Sequence, residues 1–295
     1  MSIYSIKELG QISGILPHTI RIWEQRYDLL KPLRSETNIR YYDDEQLKKL
    51  LNVCELINSG MKISHISKLS KKQIDSEIDI LIAKSFQDGN QFDSIVNQII
   101  ISLTTFDESL FDKMFSNSIL RFGLTETYLK VIYPVLVRIG LMWIKNDIFP
   151  AQEHFLTNLI KQKLFVSIDS LPLPKSADQT WVLFLKENEE HEIGLLFANY
   201  IIRQQGKRVV YLGSNVPREN LSNVIKHLKA THVYTFFTKN HSIEEVQHLL
   251  DNLSLNFKKT KMFVSGNRSI IEGVQLNKQV KWIQEIDSLV NILKN

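Results

Sequence analysis

One cysteine, Cys54, stands in 295 residues, so no intrachain disulfide can form and a reducing compartment is the natural expectation. No apolar run approaches the roughly 18–20 residues that a membrane span requires. The start, MSIYSIKELGQ, lacks the long apolar core of a signal peptide. These absences lead to the expectation of a soluble, cytoplasmic protein with no membrane partner. There is no internal repeat and no low-complexity tract. A Ser-His-Asp set, a phosphate loop and a zinc cluster are also missing, which removes the common enzymatic routes and predicts a non-enzyme. His65 has no His, Cys or carboxylate pattern at metal-ligand spacing and reads as a surface residue.

Charge of one sign is scarce overall: the net charge is +4. Its distribution says more. Residues 1–72 carry 12 Lys or Arg and 8 Asp or Glu, an excess of +4, and the remaining 24 of each sign cancel. A basic end on a neutral body fits a polyanion-binding head. At 43% apolar content, the length suits two or three domains, each with its own core.

Three textures follow one another. Residues 1–72 alternate short helical patterns with a polar, arginine-bearing stretch. Residues 76–170 place apolar residues at helical spacing, most clearly in FDSIVNQIIISL and YLKVIYPVLVRIGLMWI, and predict a four-helix-type bundle. SLPLPKSADQT, with Pro172 and Pro174, reads as a linker. Residues 178–295 carry β-rich runs at TWVLFLK, RVVYLG, HVYTFF, KMFVSG and VKWI, separated by helix-length segments. That alternation predicts a doubly wound parallel sheet, flavodoxin-like or similar.

In YSIKELGQISGILPHTIRIWEQRYDLL, Ile6, Leu9 and Ile12 form an inward face, Ser13-Gly14 breaks the helix, and a second helix starts near Pro17. Two short helices on a tight turn make a helix-turn-helix. His18, Thr19 and Arg21 lie near the start of the second helix, where a recognition helix meets base edges. In KPLRSETNIRYY, Arg34 and Arg40 bracket a turn at Asn38, a plausible wing for phosphates or a minor groove. IRIWEQRYDLLKPLR followed by IRYYDDEQLKKL resembles the winged helix-turn-helix of MerR-family transcription regulators. By that resemblance Thr19 and Arg21 face the major groove, while Tyr27, Arg40 and Tyr42 pack or bond near the backbone. Asn38 stands where relatives usually carry glycine. The alternative for Trp23, Tyr27, Tyr41 and Tyr42 is the core of a small domain, and Trp23 reads as core.

ENEEHEIG follows the first strand of the last section, and ligands of doubly wound sheets bind beyond the carboxyl ends of strands. A neutral His191 there can bind a transition metal through one ring nitrogen while Glu189 fixes the other. Gly194 lets a bulky ligand or a tail approach the backbone. Taken alone, a loop histidine is more often a solvated surface residue. Glu189-x-His191-x-x-Gly194 nevertheless resembles the cobalt-ligand motif of cobalamin-binding domains, which implies His191 as the lower axial ligand in place of the vitamin's own base. LGSNVPRENL resembles the segment after the second strand of such domains.

Upstream, Trp143 followed after nine residues by Glu153-His154 resembles the cap of light-sensing, cobalamin-dependent MerR regulators. The tryptophan there lies against the upper axial group and the Glu-His pair beside it. Adenosylcobalamin or methylcobalamin is the implied cofactor. The alternatives for these residues are a bundle-core Trp and a helix-capping Glu.

The pattern is not complete. Thr235-Phe236-Phe237 stands where the family carries serine, a small residue and leucine, so Thr235 keeps the hydroxyl while both rings add bulk where the nucleotide tail would run. Ser265-Gly266 replaces paired glycines, leaving Gly266 as the retained one. Ile144 stands where some light-sensing relatives place a histidine, which removes the second cobalt ligand of a bis-histidine light product. Cobalamin binding is therefore expected in weakened form.

Three functions compete at this point. The first is a cobalamin-responsive, light-sensitive repressor acting on a double-stranded DNA operator as a dimer or tetramer. The second is a MerR-type regulator with a degenerate sensor, in which Phe236 and Phe237 fill the tail pocket. The third is a corrinoid carrier for methyl transfer, against which the amino-terminal head weighs.

Overall fold

The computed structural model describes residues 4–13, 15–34, 40–58, 60–85, 91–144, 148–174, 178–238 and 241–294, and within these some side chains, those of Trp143 and Ile144 among them, are not described. The chain divides into two compact units, 1–159 and 160–295.

In the first unit, α1 (Ile6–Ser13) and α2 (Pro17–Tyr27) form the helix-turn-helix, followed by β1 (Leu33–Arg34), β2 (Arg40–Tyr41) and α3 (Asp44–Asn58). Pro17 opens α2, where its missing N–H has no partner to lose. Asp28 ends α2 in the left-handed region, its N–H donating back to Glu24 O. Gly10 is forced by packing, because a Cβ there would lie 2.8 Å from Ile15 O and 3.1 Å from Pro17. β1 and β2 pair antiparallel, and Tyr4 forms a further bridge to Tyr42. The Gly14 break and the Asn38 turn fall outside the described residues.

The bundle comprises α5 (Lys71–Ser85), α6 (Gln91–Thr105), α7 (Glu108–Thr127), α8 (Tyr133–Ile144) and α9 (Pro150–Asp169), after a single turn α4 (Ile63–Ile66). α6 is its axis: Ile95, Ile99, Ile100 and Leu103 are fully buried or nearly so, and α3, α5, α7 and α8 pack around it. A π-turn at Tyr128–Ile132 joins α7 to α8, and Gly123 (φ 73°) kinks α7. The expected helix-turn-helix and bundle therefore share one unit.

The second unit holds the end of α9 and a five-stranded parallel sheet. Its elements are β3 (Thr180–Lys186), α10 (Ile193–Gln204), β4 (Arg208–Val216), α11 (Arg218–Leu228), β5 (His232–Phe237), α12 (Ile243–Asn256), β6 (Lys261–Gly266), α13 (Arg268–Gly273), β7 (Val280–Trp282) and α14 (Ile286–Lys294). The strand order β4-β3-β5-β6-β7 is the flavodoxin-like one. Strands buried on both faces read as nearly continuous apolar runs, which is why the five segments stood out in the sequence.

The two faces differ in content. On one, Val182, Phe184, Val233, Phe237, Met262 and Val264 pack with α11, α12 and α13. On the other, beneath α10, lie rings: Trp181, His232 and Phe263 stack with centroids 4.3–5.9 Å apart, and Tyr234 lies 5.1 Å from Phe236. His232 is buried in that stack, and burial, followed by Lys261 and Lys207 nearby, pushes its pKa down to about 4.

Candidate functional site

The β3–α10 loop leaves the carboxyl end of β3 beside β5, the position where strand order reverses. Glu189 is the loop's anchor. Its side chain is 0% exposed, and a carboxylate buried to that degree persists only when donors surround it. Oε1 accepts from the Glu190 N–H (3.1 Å), the His191 N–H (3.1 Å) and His191 Nδ1 (2.7 Å). Oε2 accepts from the Thr238 N–H (2.8 Å) and His241 Nε2 (3.2 Å).

With Nδ1 donating to Glu189, Nε2 of neutral His191 carries the lone pair. The His191 side chain is 56% exposed. The tautomer and ring orientation needed for metal ligation are thus set before any metal arrives.

Three contacts hold this loop in place. Asn188 (φ 65°) donates its N–H to Asn215 Oδ1 at the end of β4 (2.9 Å). Glu192, the residue after His191, pairs with Lys161 at 3.1 Å and accepts from Tyr211 Oη at 3.2 Å. Burial and then Glu192 hold the Tyr211 hydroxyl far above the ordinary tyrosine range. From below, His241 Nδ1 lies 3.0 Å from Lys186 Nζ, which reaches Glu245 at 3.5 Å. His241 Nε2 donates to Glu189, so Nδ1 accepts from the lysine. A hydrogen-bonded row therefore runs Glu245–Lys186–His241–Glu189–His191.

His241 and Lys186 were not singled out in the sequence. Lys186 is the last residue of a legible strand, and His241 lies 50 residues from His191 in a polar loop. Nothing in local spacing marks either one.

Other expected ligand-side residues need correction. A pleated strand alternates faces, so Thr235 lies with Val233 and Phe237 on the α11–α12 side. Its Oγ1 is buried without a hydrogen-bond partner among the described residues, turned away from α10. Phe237 is core on that same side, not bulk beside a tail. The residue that meets Gly194 is Phe236: a Cβ built on Gly194 would lie 2.9 and 3.1 Å from its ring. Ser265, in place of the second glycine, donates to Ile283 O (2.6 Å) and bonds the Tyr234 hydroxyl (2.8 Å). Gly266 (φ 122°) is required by the backbone: a Cβ there would lie 2.2 Å from Phe237 O.

In the first unit, Trp143 sits in the last turn of α8. Glu153 and His154 open α9, 3.4 Å apart, with His154 exposed. Their neighbour Gln152 is fully buried. It accepts from the Phe149 N–H (3.0 Å) and donates to Thr104 O (3.2 Å) and Tyr4 Oη (3.3 Å), tying α9 to α6 and to the amino-terminal module.

On that module, His18, Arg21, Gln25 and Arg26 are exposed along α2, Thr19 is half-buried at its start, and Trp23 is buried beneath. Arg26 lies over the Tyr27 ring at 5.5 Å. Arg34 is exposed on β1 and Arg40 is half-buried on β2, 3.7 Å from Glu24. Tyr42 is a correction: it is 0% exposed and its hydroxyl donates to Glu24. Burial and then Glu24 hold that hydroxyl well above the usual tyrosine range. Tyr42 is thus the module's core and not a surface for DNA.

A corrin supplies four nitrogens to its cobalt, so a single oriented imidazole completes the lower side. Among the described residues there is no group of three or more His, Cys, Asp or Glu able to cage an ion unaided. His191 on Glu189 fits the axial role. Phe236 against Gly194 does not fit a bulky tail in the same place.

Residues 4–73 match the MerR HTH family regulatory protein model, and residues 95–166 match the B12 binding domain model. The HTH-type transcriptional repressor CarH of Myxococcus xanthus is 25% identical over 85% of this chain and 84% of its own. The repressor CarA of the same organism is 25% identical over 84% and 81%. The Methanosarcina barkeri monomethylamine corrinoid protein shares the fold over 69% of this chain and 98% of its own, with a TM-score of 0.57 at 16% identity. Among the described residues no helix is long and apolar enough to cross a membrane. These two relatives, aligned over most of the chain, are transcriptional repressors, and the chain combines a MerR-type helix-turn-helix domain with a B12-binding domain as a homologue of the CarH and CarA repressors.

Proposed function

We propose that this chain is a DNA-binding transcription regulator, a repressor, whose hold on its operator responds to a corrinoid ligated by His191. The observation that carries the reading is the buried Glu189 carboxylate fixing His191 Nδ1 at 2.7 Å in a chain that begins with a MerR-type head. Thr19, Arg21, Tyr27, Arg34 and Arg40 are its DNA-contacting residues, with Thr19 and Arg21 facing the major groove and the others positioning the backbone. Trp143, Glu153 and His154 are its residues for the upper side of the corrin. A two-fold assembly on a palindromic operator follows from the class of regulator, and an alkylated cofactor would supply the sensitivity to light.

When bound, the cofactor supplies a cobalt centre whose upper ligand can be lost. The protein's share is to hold the lower side through His191, keep that ring's tautomer through Glu189, and present arginines to DNA. Regulation needs only a difference in DNA affinity between the loaded and unloaded states.

The test is reconstitution in the dark with adenosylcobalamin, read as an absorbance spectrum and as DNA mobility shift before and after illumination. A corrinoid spectrum that changes with light, together with changed DNA retention, supports the reading. A colourless protein, or binding undiminished in His191→Ala, overturns the ligand assignment. Retention on DNA indifferent to both vitamin and light supports the degenerate-sensor alternative. That alternative has one observation in its favour, the Phe236 ring on Gly194.

A further inference from the structure

The closure at Gly194 says more than whether a corrinoid binds, for it bears on which corrinoid. A corrin bound through a protein imidazole has released its own lower base. That base and its nucleotide chain hang from the face that meets His191, so they must enter the protein next to His191. There the tail finds the first turn of α10 on one side and the ends of β3 and β5 on the other.

Gly194 lies three residues past His191 and is the one position of that turn without a side chain. In this chain its empty place is taken. The Phe236 ring approaches so closely that even a methyl group on Gly194 would lie 2.9 Å from it. Nor does space open behind. Phe236 leans on Tyr234 at 5.1 Å between centroids. Tyr234 is fully buried and tied through its hydroxyl to Ser265, which is bonded to Ile283 O. Tyr234 also meets Phe263 edge-on at 6.2 Å, and Phe263 continues the stack with His232 and Trp181.

A tail entering here must therefore displace Phe236, and one reaching deeper must disturb a row of interlocked rings. At His191, by contrast, the Glu189 contact already sets the imidazole's tautomer.

We propose that Phe236 is a specificity-determining residue that ranks corrinoids by their lower tail. A corrinoid without the nucleotide tail, of the cobinamide class, is taken ahead of full cobalamin, which binds only by turning Phe236 out. This rests on the reading that His191 ligates a corrinoid. A misfit of a few atoms in a packed pocket discriminates by about 10–200-fold, so the preference is large enough to measure.

The test titrates the full-length protein in the dark with aquocobinamide and, separately, with aquocobalamin, following the absorbance change on His191 ligation. The wild type is expected to bind cobinamide at least about tenfold more tightly. Phe236→Ala is expected to close most of that gap by improving cobalamin. Phe236→Leu, which keeps bulk, should retain the wild-type ranking. The wild-type comparison stands even if Phe236→Ala does not fold, which circular dichroism decides. Equal or tighter binding of cobalamin by the wild type overturns the proposal while leaving the corrinoid reading intact. So does a Phe236→Ala variant that folds with an unchanged ranking. Failure of both ligands to bind any variant overturns the corrinoid reading, and this inference falls with it.

Discussion

Two Glu-His pairs in this chain use the same residue types for opposite ends. At the sheet, Glu189 is 0% exposed, receives five donors among the described residues, and holds His191 at 2.7 Å. At the start of α9, Glu153 and His154 are 29% and 71% exposed and 3.4 Å apart. A surface pair of this kind is worth little, because water competes for both partners. The buried carboxylate has no such competitor and so fixes the imbalance of the imidazole's two nitrogens. The lesson is that burial of the acid, and not its adjacency to the histidine, prepares the ring. The exposed pair instead gains its position from the buried residue before it, Gln152.

That contrast predicts a graded set of outcomes. The largest effect is expected for Glu189→Ala. It strands several buried donors and should destabilise the chain by ~2–4 kcal/mol in urea unfolding, while abolishing corrinoid uptake. Stability within experimental error of the wild type would mean that the five-donor carboxylate is not what holds the loop.

A smaller loss, about 1–3 kcal/mol, is expected for Gln152→Ala, since Thr104 O and the Phe149 N–H lose their buried partner. It should appear in the unfolding of the first unit and leave His191 ligation unchanged. If corrinoid absorbance changes instead, the contrast between the two units is misdrawn.

His241→Ala, which removes the residue behind Glu189 but not the His191 contact, should weaken corrinoid binding by about 10-fold or somewhat more, as supporting ligands do. An unchanged binding curve would confine the working site to Glu189 and His191.

His232 supplies a pH arm. Its pKa lies at about 4 in the fold against 6.5 in the unfolded chain, so the unfolded state takes up the proton first as pH falls. Its contribution is complete above pH 6.5 and is lost on descent toward pH 4, at a cost of roughly 1–3 kcal/mol. His232→Phe should flatten the wild-type slope across that window; parallel slopes would reject the assignment. The smallest effect belongs to Glu153→Gln, where a stability change below about 0.5 kcal/mol is expected.

The sequence carried the architecture well because each strand is buried on both faces and each helix keeps one apolar stripe. TWVLFLK and HVYTFF could hardly be anything but central strands. The Glu189–His191 contact was also legible, being a matter of two residues. What escaped was information held by the third dimension. Thr235 and Phe236 exchange roles because strand phase decides which one meets Gly194, and an apolar run hides its phase. His241 joins the site through the β5–α12 loop, which no spacing rule connects to β3. Tyr42 read as a residue near the DNA backbone because aromatic rings serve equally as core and as contact; its bond to Glu24 decides between them.

The Gln152 amide has a consequence for how the protein is made. Its bond to Tyr4 spans 148 residues. The amino-terminal module leaves the ribosome first, yet one of its closing contacts is not available until residue 152 follows, about 10–30 s later at ordinary elongation rates. A nascent or truncated chain ending before α9 would carry a DNA-binding head that has not yet been locked to its own regulator.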